Sequence, residues 1–405
     1  SSLGIPPISL QGWWGTFWVQ CMALLPLAVG IALLSLQTVD PELIEAGQLL
    51  APGYAVLTKV ILPLSRPLLA SGAGFLFLLT LIDHSVSGLF GLNTYALDLF
   101  AEFSATNQPA RAFLLAFPGL LVGFLILTII QTGIRRVTQP IVFSQRSVAH
   151  FSLPVWMQIL EQTAIGLVTL QIIIPLVTLI GTAGSITRFG QSVWAARDEI
   201  GFTFWISLAA TTISLIVGWM AAKGLNRYKR HCAALWWIIT TPLAVPAPLI
   251  GIALIMFLNR PIWGELYGSA AMPVLAAAGR FLPYATLLIA VQLNRIDPLF
   301  FEAAQIASGN PIRRLVKIQL PLLAPGFLAA AMLVFSLTLS ELGATLLVVP
   351  PGQSTLTLRI YNYLHYGASA EVAGLCLMLT ITLVFSFILI ILCFSVWKRL
   401  QDVKI

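Results

Sequence analysis

The sequence predicts an all-α, polytopic membrane helix bundle of about nine transmembrane helices, arranged as two parallel repeats. Three observations carry this. Apolar residues fill 58% of the 405 positions and charged ones only 9%, whereas an ordinary soluble domain is about a quarter charged. Nine stretches are apolar for long enough to cross a bilayer, at about 20 residues per crossing. One charged segment occurs twice: Asp40-Pro41-Glu42-Leu43-Ile44-Glu45-Ala46-Gly47 returns as Asp297-Pro298-Leu299-Phe300-Phe301-Glu302-Ala303-Ala304, and each copy leads to a Lys and then a Leu-Pro.

The spans lie near 13–36, 67–90, 112–134, 156–181, 201–222, 232–258, 273–293, 326–348 and 372–397. The first is a full-length crossing rather than the short apolar region of a cleavable signal. Next comes the first charged segment. In both copies an Asp precedes a proline, which predicts a capped helix start. Pro52-Gly53 and Gly309-Asn310-Pro311 then predict a stop and a second helix. That second helix carries Lys59, or Arg313, Arg314 and Lys317, and Leu62-Pro63 or Leu320-Pro321 leads into the next span. A helix-turn-helix along one face of the membrane is the expectation.

Glu45 and Glu302 are 257 residues apart. Laid over each other, the halves give a first repeat at 1–140 with three spans, a linker at 141–155 and a second repeat at 156–405 with six, the joint near 135–155 being marked by Arg135-Arg136, Pro140, Arg146 and Pro154. The first repeat is therefore expected to be incomplete at its N-terminus. Six spans, an even number, separate the two segments, so both face one side and the repeats run parallel.

Charge supplies the orientation. With both segments cytoplasmic, 16 of the 22 Lys and Arg fall on that face, leaving Arg111, Arg188, Arg197, Arg260, Arg280 and Arg359 outside. The net charge of +7 is thus topology, and no nucleic-acid partner is expected. Cys21, Cys232, Cys376 and Cys393 have no CxxC spacing and are expected to be packing residues. The chain has no Gly-Lys pair and so no phosphate-cradling GxxxxGK[ST] loop. It is not expected to be an enzyme, and no cofactor is expected in it.

Glu302-Ala303-Ala304, with Ser308 six residues after the Glu and Ile318-Gln319-Leu320-Pro321 at the end, resembles the EAA loop of ABC importer permeases. The family pattern has Gly where Ser308 stands, with Gly309 displaced by one. In the first copy Gly47 replaces the last Ala, Ala51 takes the Gly position, and the segment is one residue shorter. The resemblance implies the type I ABC importer permease fold in a bacterial inner membrane, with the loops and C-terminus cytoplasmic. It implies a dimer of ABC ATPase subunits, carrying ATP and magnesium, that docks on Glu45, Ala46, Gly47 and Gly53 and on Glu302, Ala303, Ala304, Ser308 and Gly309. It further implies a periplasmic solute-binding protein. The plainer alternative is an amphipathic helix resting on the lipid surface, which the duplication disfavours.

Asp83 and Glu341 each follow their Leu-Pro by 20 residues, so both repeats set a carboxylate at one level. A translocation path for a cation and a carboxylate paired at a helix end both fit. His84 adjoins Asp83 without forming a ligand set. The external stretch 350–367, with Arg359, Tyr361 and His365, fits a gate, a docking surface for a binding protein, or an aromatic belt. From Glu341 through this stretch the chain resembles the ferric-iron branch of fused importer permeases, with thiamine and aminoethylphosphonate branches built alike; no firm metal site is read. An ion-coupled secondary transporter would need inverted halves or several midplane charges, and a membrane enzyme would need clustered His, Asp or Glu.

Overall fold

The computed structural model describes residues 12–36, 39–83, 85–137, 154–227, 232–307, 310–366 and 369–402. Among them the regular structure is entirely helical. Eight helices are long and apolar enough to cross a membrane, and a bent pair supplies a ninth crossing if it is counted as one span. The expected linker lies almost wholly outside the described residues.

Helix α1 (Trp13–Leu36) is the first span. α2 (Pro41–Leu50) starts where Asp40 accepts from the Glu42 amide at 3.0 Å and Pro41 fills the first helical position. After Pro52, α3 (Gly53–Val56) runs through a π-helical turn, Leu57–Ile61, directly into α4 (Leu62–Ile82). The expected separate second helix and a span starting near 67 are therefore corrected: Gly53–Ile82 is one continuous helix of 30 residues. A proline lacks the N–H and crowds the carbonyl four residues back. The Leu62 N–H reaches five residues back to the Leu57 carbonyl, and this shift of register just before Pro63 lets the helix continue. α4 stops at Asp83, and α5 (Ser85–Leu89), α6 (Tyr95–Thr106) and α7 (Pro109–Val137) follow. α6 ends at Asn107 in the left-handed conformation, φ 50°.

α8 (Val155–Ala183) and α9 (Ile186–Ala195, capped by Ser185) precede α10 (Arg197–Arg227). The stretch expected as a crossing at 232–258 is built from α11 (Cys232–Thr240), a 3₁₀ turn at Thr241–Ala244 and α12 (Ala247–Leu258), bent by 111°. Pro242, Pro246 and Pro248 break the ladder there. Non-helical backbone survives at membrane depth only inside protein, and Thr240, Leu243, Ala244 and Ala247 are all buried. α13 (Ala271–Arg295) completes this stretch.

The second repeat then follows the plan of the first. α14 (Pro298–Ala307) starts at Asp297, which accepts from the Leu299 amide at 2.9 Å. α15 (Pro311–Arg314), capped by Asn310, passes through a π turn, Leu315–Gln319, into α16 (Leu320–Leu339). The Leu320 N–H again reaches five residues back, to Leu315, one residue before Pro321. α17 (Thr345–Val348), α18 (Leu356–Tyr366) and α19 (Ser369–Asp402) match α5, α6 and α7 in order. The span expected at 326–348 thus ends at Leu339, and the expected loop at 350–367 is half helix.

Two compact units share the chain. One holds α1 to α6, α7 through Arg136, α8 through Ile174, and Ala244–Leu249; the other holds the rest. In the first, α4 packs on α1 with Gly72 against Ile31, and on α7 with Gly74 against Ile130. In the second, α10, α13 and α16 form the core. A Cβ on Gly218 of α10 would stand 3.1 Å from Ala285 Cβ and from the Thr286 amide of α13, and the Gln292 side chain lies across Gly326 of α16 while donating to the Leu322 carbonyl at 3.0 Å. Small residues at the crossings let apolar helices approach where hydrophobic burial gives no drive between them.

Candidate functional site

The repeated loops come first. Val39, Val56 and Ile61 are buried together beneath α2, with Ile44 and Ala51 packed against them. Gly47 makes this possible: a Cβ there would stand 3.1 Å from Val56 Cγ1. The first copy's departure from Ala thus falls where α2 approaches Val56 closely. Gly53 opens α3, and its carbonyl accepts from the Leu57 amide.

Away from that cluster α2 presents Glu45 and Ala46 beside Leu43, Leu49 and Leu50, the last two 88% and 89% exposed. α14 presents the same pattern. Glu302 and Ala303 are exposed beside Leu299, Phe300 and Ile306, the last 89% exposed. Each loop therefore offers an apolar face with one carboxylate and one small residue. That is a shape suited to a groove in another protein. The Ala304 side chain, Ser308 and Gly309 lie outside the described residues.

The two carboxylates at matching levels are both engaged by the protein. Asp83 accepts from the amides of Ser85 and Val86 at 3.3 Å, capping α5, and from Gln20 Nε2 of α1 at 3.2 Å. Glu341 accepts from the Ala344 amide at 2.7 Å ahead of α17 and forms an ion pair with Arg280 of α13. Its side chain is 3% exposed. The structure thus realises the pairing and capping roles at both positions. Arg280 is the residue that sequence reasoning left unassigned, although an arginine in a long apolar span signals a counter-charge elsewhere.

At the same end of the second unit, where Thr357 Oγ1 donates to the Glu341 carbonyl at 2.9 Å, Arg359 of α18 donates to Glu199 of α10 at 2.5 Å and to the Tyr363 hydroxyl at 3.0 Å. Leu356 donates its amide to Thr203 Oγ1 at 2.8 Å and packs with Ala196 and Leu375. α18 is therefore docked on α10 and α19. Burial pulls the Arg359 pKa down, but its hydrogen bonds and charge attraction to Glu199 and Tyr363 outweigh this and hold it above its ordinary value. Tyr361 is half-buried on the same helix, and His365 lies in its last turn with its side chain outside the described residues. Among the described residues no three His, Cys, Asp or Glu lie close enough together to hold a metal.

The described residues thus form a polytopic helix bundle with two helical loops of one design. Residues 214–405 of this chain match the family described as binding-protein-dependent transport system inner membrane component. The chain has the helical, eight- to nine-span architecture of the type I permease fold, and its relatives are ABC importer permeases. The "Putative 2-aminoethylphosphonate transport system permease protein PhnV" of Salmonella typhimurium is 28% identical over 187 residues, 46% of this chain and 70% of that protein. The putrescine transport system permease protein PotI of Escherichia coli is 27% identical over 187 residues, 45% and 66% of the two chains. The Fe(3+)-transport system permease protein FbpB 2 of Haemophilus influenzae is 24% identical over 388 residues, 92% of this chain and 75% of that protein.

Proposed function

We propose that this permease takes a solute from a periplasmic binding protein and passes it to the cytoplasm, driven by a dimer of ABC ATPase subunits that grips α2 and α14. The observation that carries the reading is the twice-built face: Leu43, Glu45, Ala46 and Leu49 in one loop, and Phe300, Glu302, Ala303 and Ile306 in the other, exposed at matching positions. Ala304, Ser308 and Gly309 belong to the second grip by their place in the pattern, and Gly47 and Gly53 to the first. ATP and magnesium sit on the partner. The basic residues Lys59, Arg313, Arg314 and Lys317 assign the loops to the cytoplasmic side. Alternation requires that the ATPase hold one membrane conformation more tightly than the other, since equal affinity shifts nothing. Glu45→Arg combined with Glu302→Arg puts bulk and reversed charge on both grips. Loss of ATPase capture and of uptake is expected; normal capture and uptake in the double variant would sink the assignment.

Ferric iron is the solute favoured. The relative aligned along 92% of this chain is named for Fe(3+), whereas those named for aminoethylphosphonate and putrescine align along less than half. Uptake by cells carrying the transporter should follow labelled ferric iron, with putrescine, aminoethylphosphonate and thiamine left at background; uptake of any of these three in its place reassigns the solute. Asp83 and Glu341 enter this reading as the groups that set the outer helix ends along the path. The α18 face with Arg359, Tyr361 and His365 is assigned to the binding protein, and a photocrosslinker at Tyr361 should capture it.

A further inference from the structure

The loop end of the second unit carries a set of donors without acceptors. Lys223 Nζ lies over the Trp219 ring at 3.8 Å from its centroid. Trp219 meets Phe327 of α16 edge to face, with ring centroids 6.2 Å apart. Arg314 is close enough to Lys223 for the two charges to repel. Both Arg314 Nε and Trp219 Nε1 are buried, and neither has a hydrogen-bond partner among the described residues. Lys317 and Arg313 lie on the same turn and are exposed. Unpaired buried donors beside gathered positive charge describe a place that lacks an anion.

Phe327 also lines an apolar groove of about 480 Å³ between α16 and α19, which starts at Val316 and Leu320 and reaches Phe394. The groove begins at the basic turn and runs away from it along the span. Phe327 touches Trp219 and also lines the groove, so the basic cluster and the groove adjoin there; together they suit a charged head and an apolar tail, and the positive charge decides the head. We infer that this surface binds one anionic phospholipid, its phosphate on Arg314, Lys223 and Trp219 and an acyl chain along Val316, Leu320, Phe327 and Phe394. The inference rests on the cytoplasmic placement of the loops given above. Because Arg314 follows α14 at the start of the helix that becomes α16, the lipid would brace the joint between the grip and its span.

The test uses the full chain in nanodiscs of equal phosphatidylglycerol and phosphatidylcholine, with native mass spectrometry reading which lipid survives a detergent wash. Phosphatidylglycerol should be retained over phosphatidylcholine by on the order of tenfold. Lys223→Gln with Arg314→Gln should bring that ratio close to one. Ala324→Trp, which fills the groove and leaves every charge in place, should lower retention of both lipids. Arg188→Gln, at the opposite end, should change nothing. No preference in the parent chain, or an undiminished preference in the double variant, overturns the inference. If the double variant keeps its lipid but loses capture of the ATPase, the basic cluster serves a protein partner and the inference is equally overturned. No ATPase or solute enters the lipid assay, so a failed docking assignment shows in the Glu45→Arg, Glu302→Arg variant and leaves the lipid ratio untouched.

Discussion

Beneath the first loop sits Val56, buried to 1% and pressed against Gly47. The matching place in the second loop, counted from the Leu-Pro, is Arg314, whose Nε is buried without a partner. The backbones agree closely: Asp-Pro start, short helix, π turn, and proline absorbed into a continuous span. What lies under them does not. One loop closes on its own apolar cluster, while the other covers a buried donor without a partner among the described residues. The same contrast recurs at the far ends of α4 and α16, where Asp83 is met by the neutral Gln20 and Glu341 by Arg280. The two loops thus share an outer face and differ in what lies beneath it.

The largest effect should come from exchanging the undersides. Val56→Arg buries an unpaired guanidinium against Gly47, a cost of several kcal/mol, and the folded yield in detergent should collapse. The reciprocal Arg314→Val should be tolerated. Next in size is Arg280→Met alone, which strands the Glu341 carboxylate and should cost about 3–5 kcal/mol, read as thermal denaturation in micelles. Adding Glu341→Met should recover most of it, because the pair's desolvation cost disappears with its attraction. Gln20→Leu in the first half removes only a neutral donor and should cost about 1 kcal/mol. Asp40→Ala and Asp297→Ala each remove one helix cap, about 1 kcal/mol, and equal losses in the two loops would show that the caps, unlike the undersides, are equivalent. Smallest is Gly47→Ala. The gain in helix propensity, about 1 kcal/mol, opposes a 3.1 Å approach to Val56, and a net change below about 1 kcal/mol is expected.

Much of this could be read before any coordinates. Asp40-Pro41 and Asp297-Pro298 announce helix starts because cap chemistry is local, and the two loops were found because a repeat is a property of the string. Leu62-Pro63 was misread as a boundary. The π turn that carries a helix through a proline depends on hydrogen-bond register, to which composition is blind. Three prolines between 242 and 248 did signal a break, but the surrounding apolar residues hid it. α18 was missed because Leu356, Ile360 and Tyr363 form an apolar face within a stretch whose polar residues read as loop.

Apolar run length and the duplicated charged segment specify a polytopic helix bundle with two loops of one design, because each follows from local composition; the resemblance of those loops to the EAA motif is what pointed to an importer permease. Packing in three dimensions settles the rest. Which carboxylate meets an arginine and which a glutamine, why position 47 is glycine, and where buried donors lack an acceptor all depend on side chains brought together by helix crossings. Residues 61 positions apart, such as Arg280 and Glu341, leave no trace of their pairing in a single sequence.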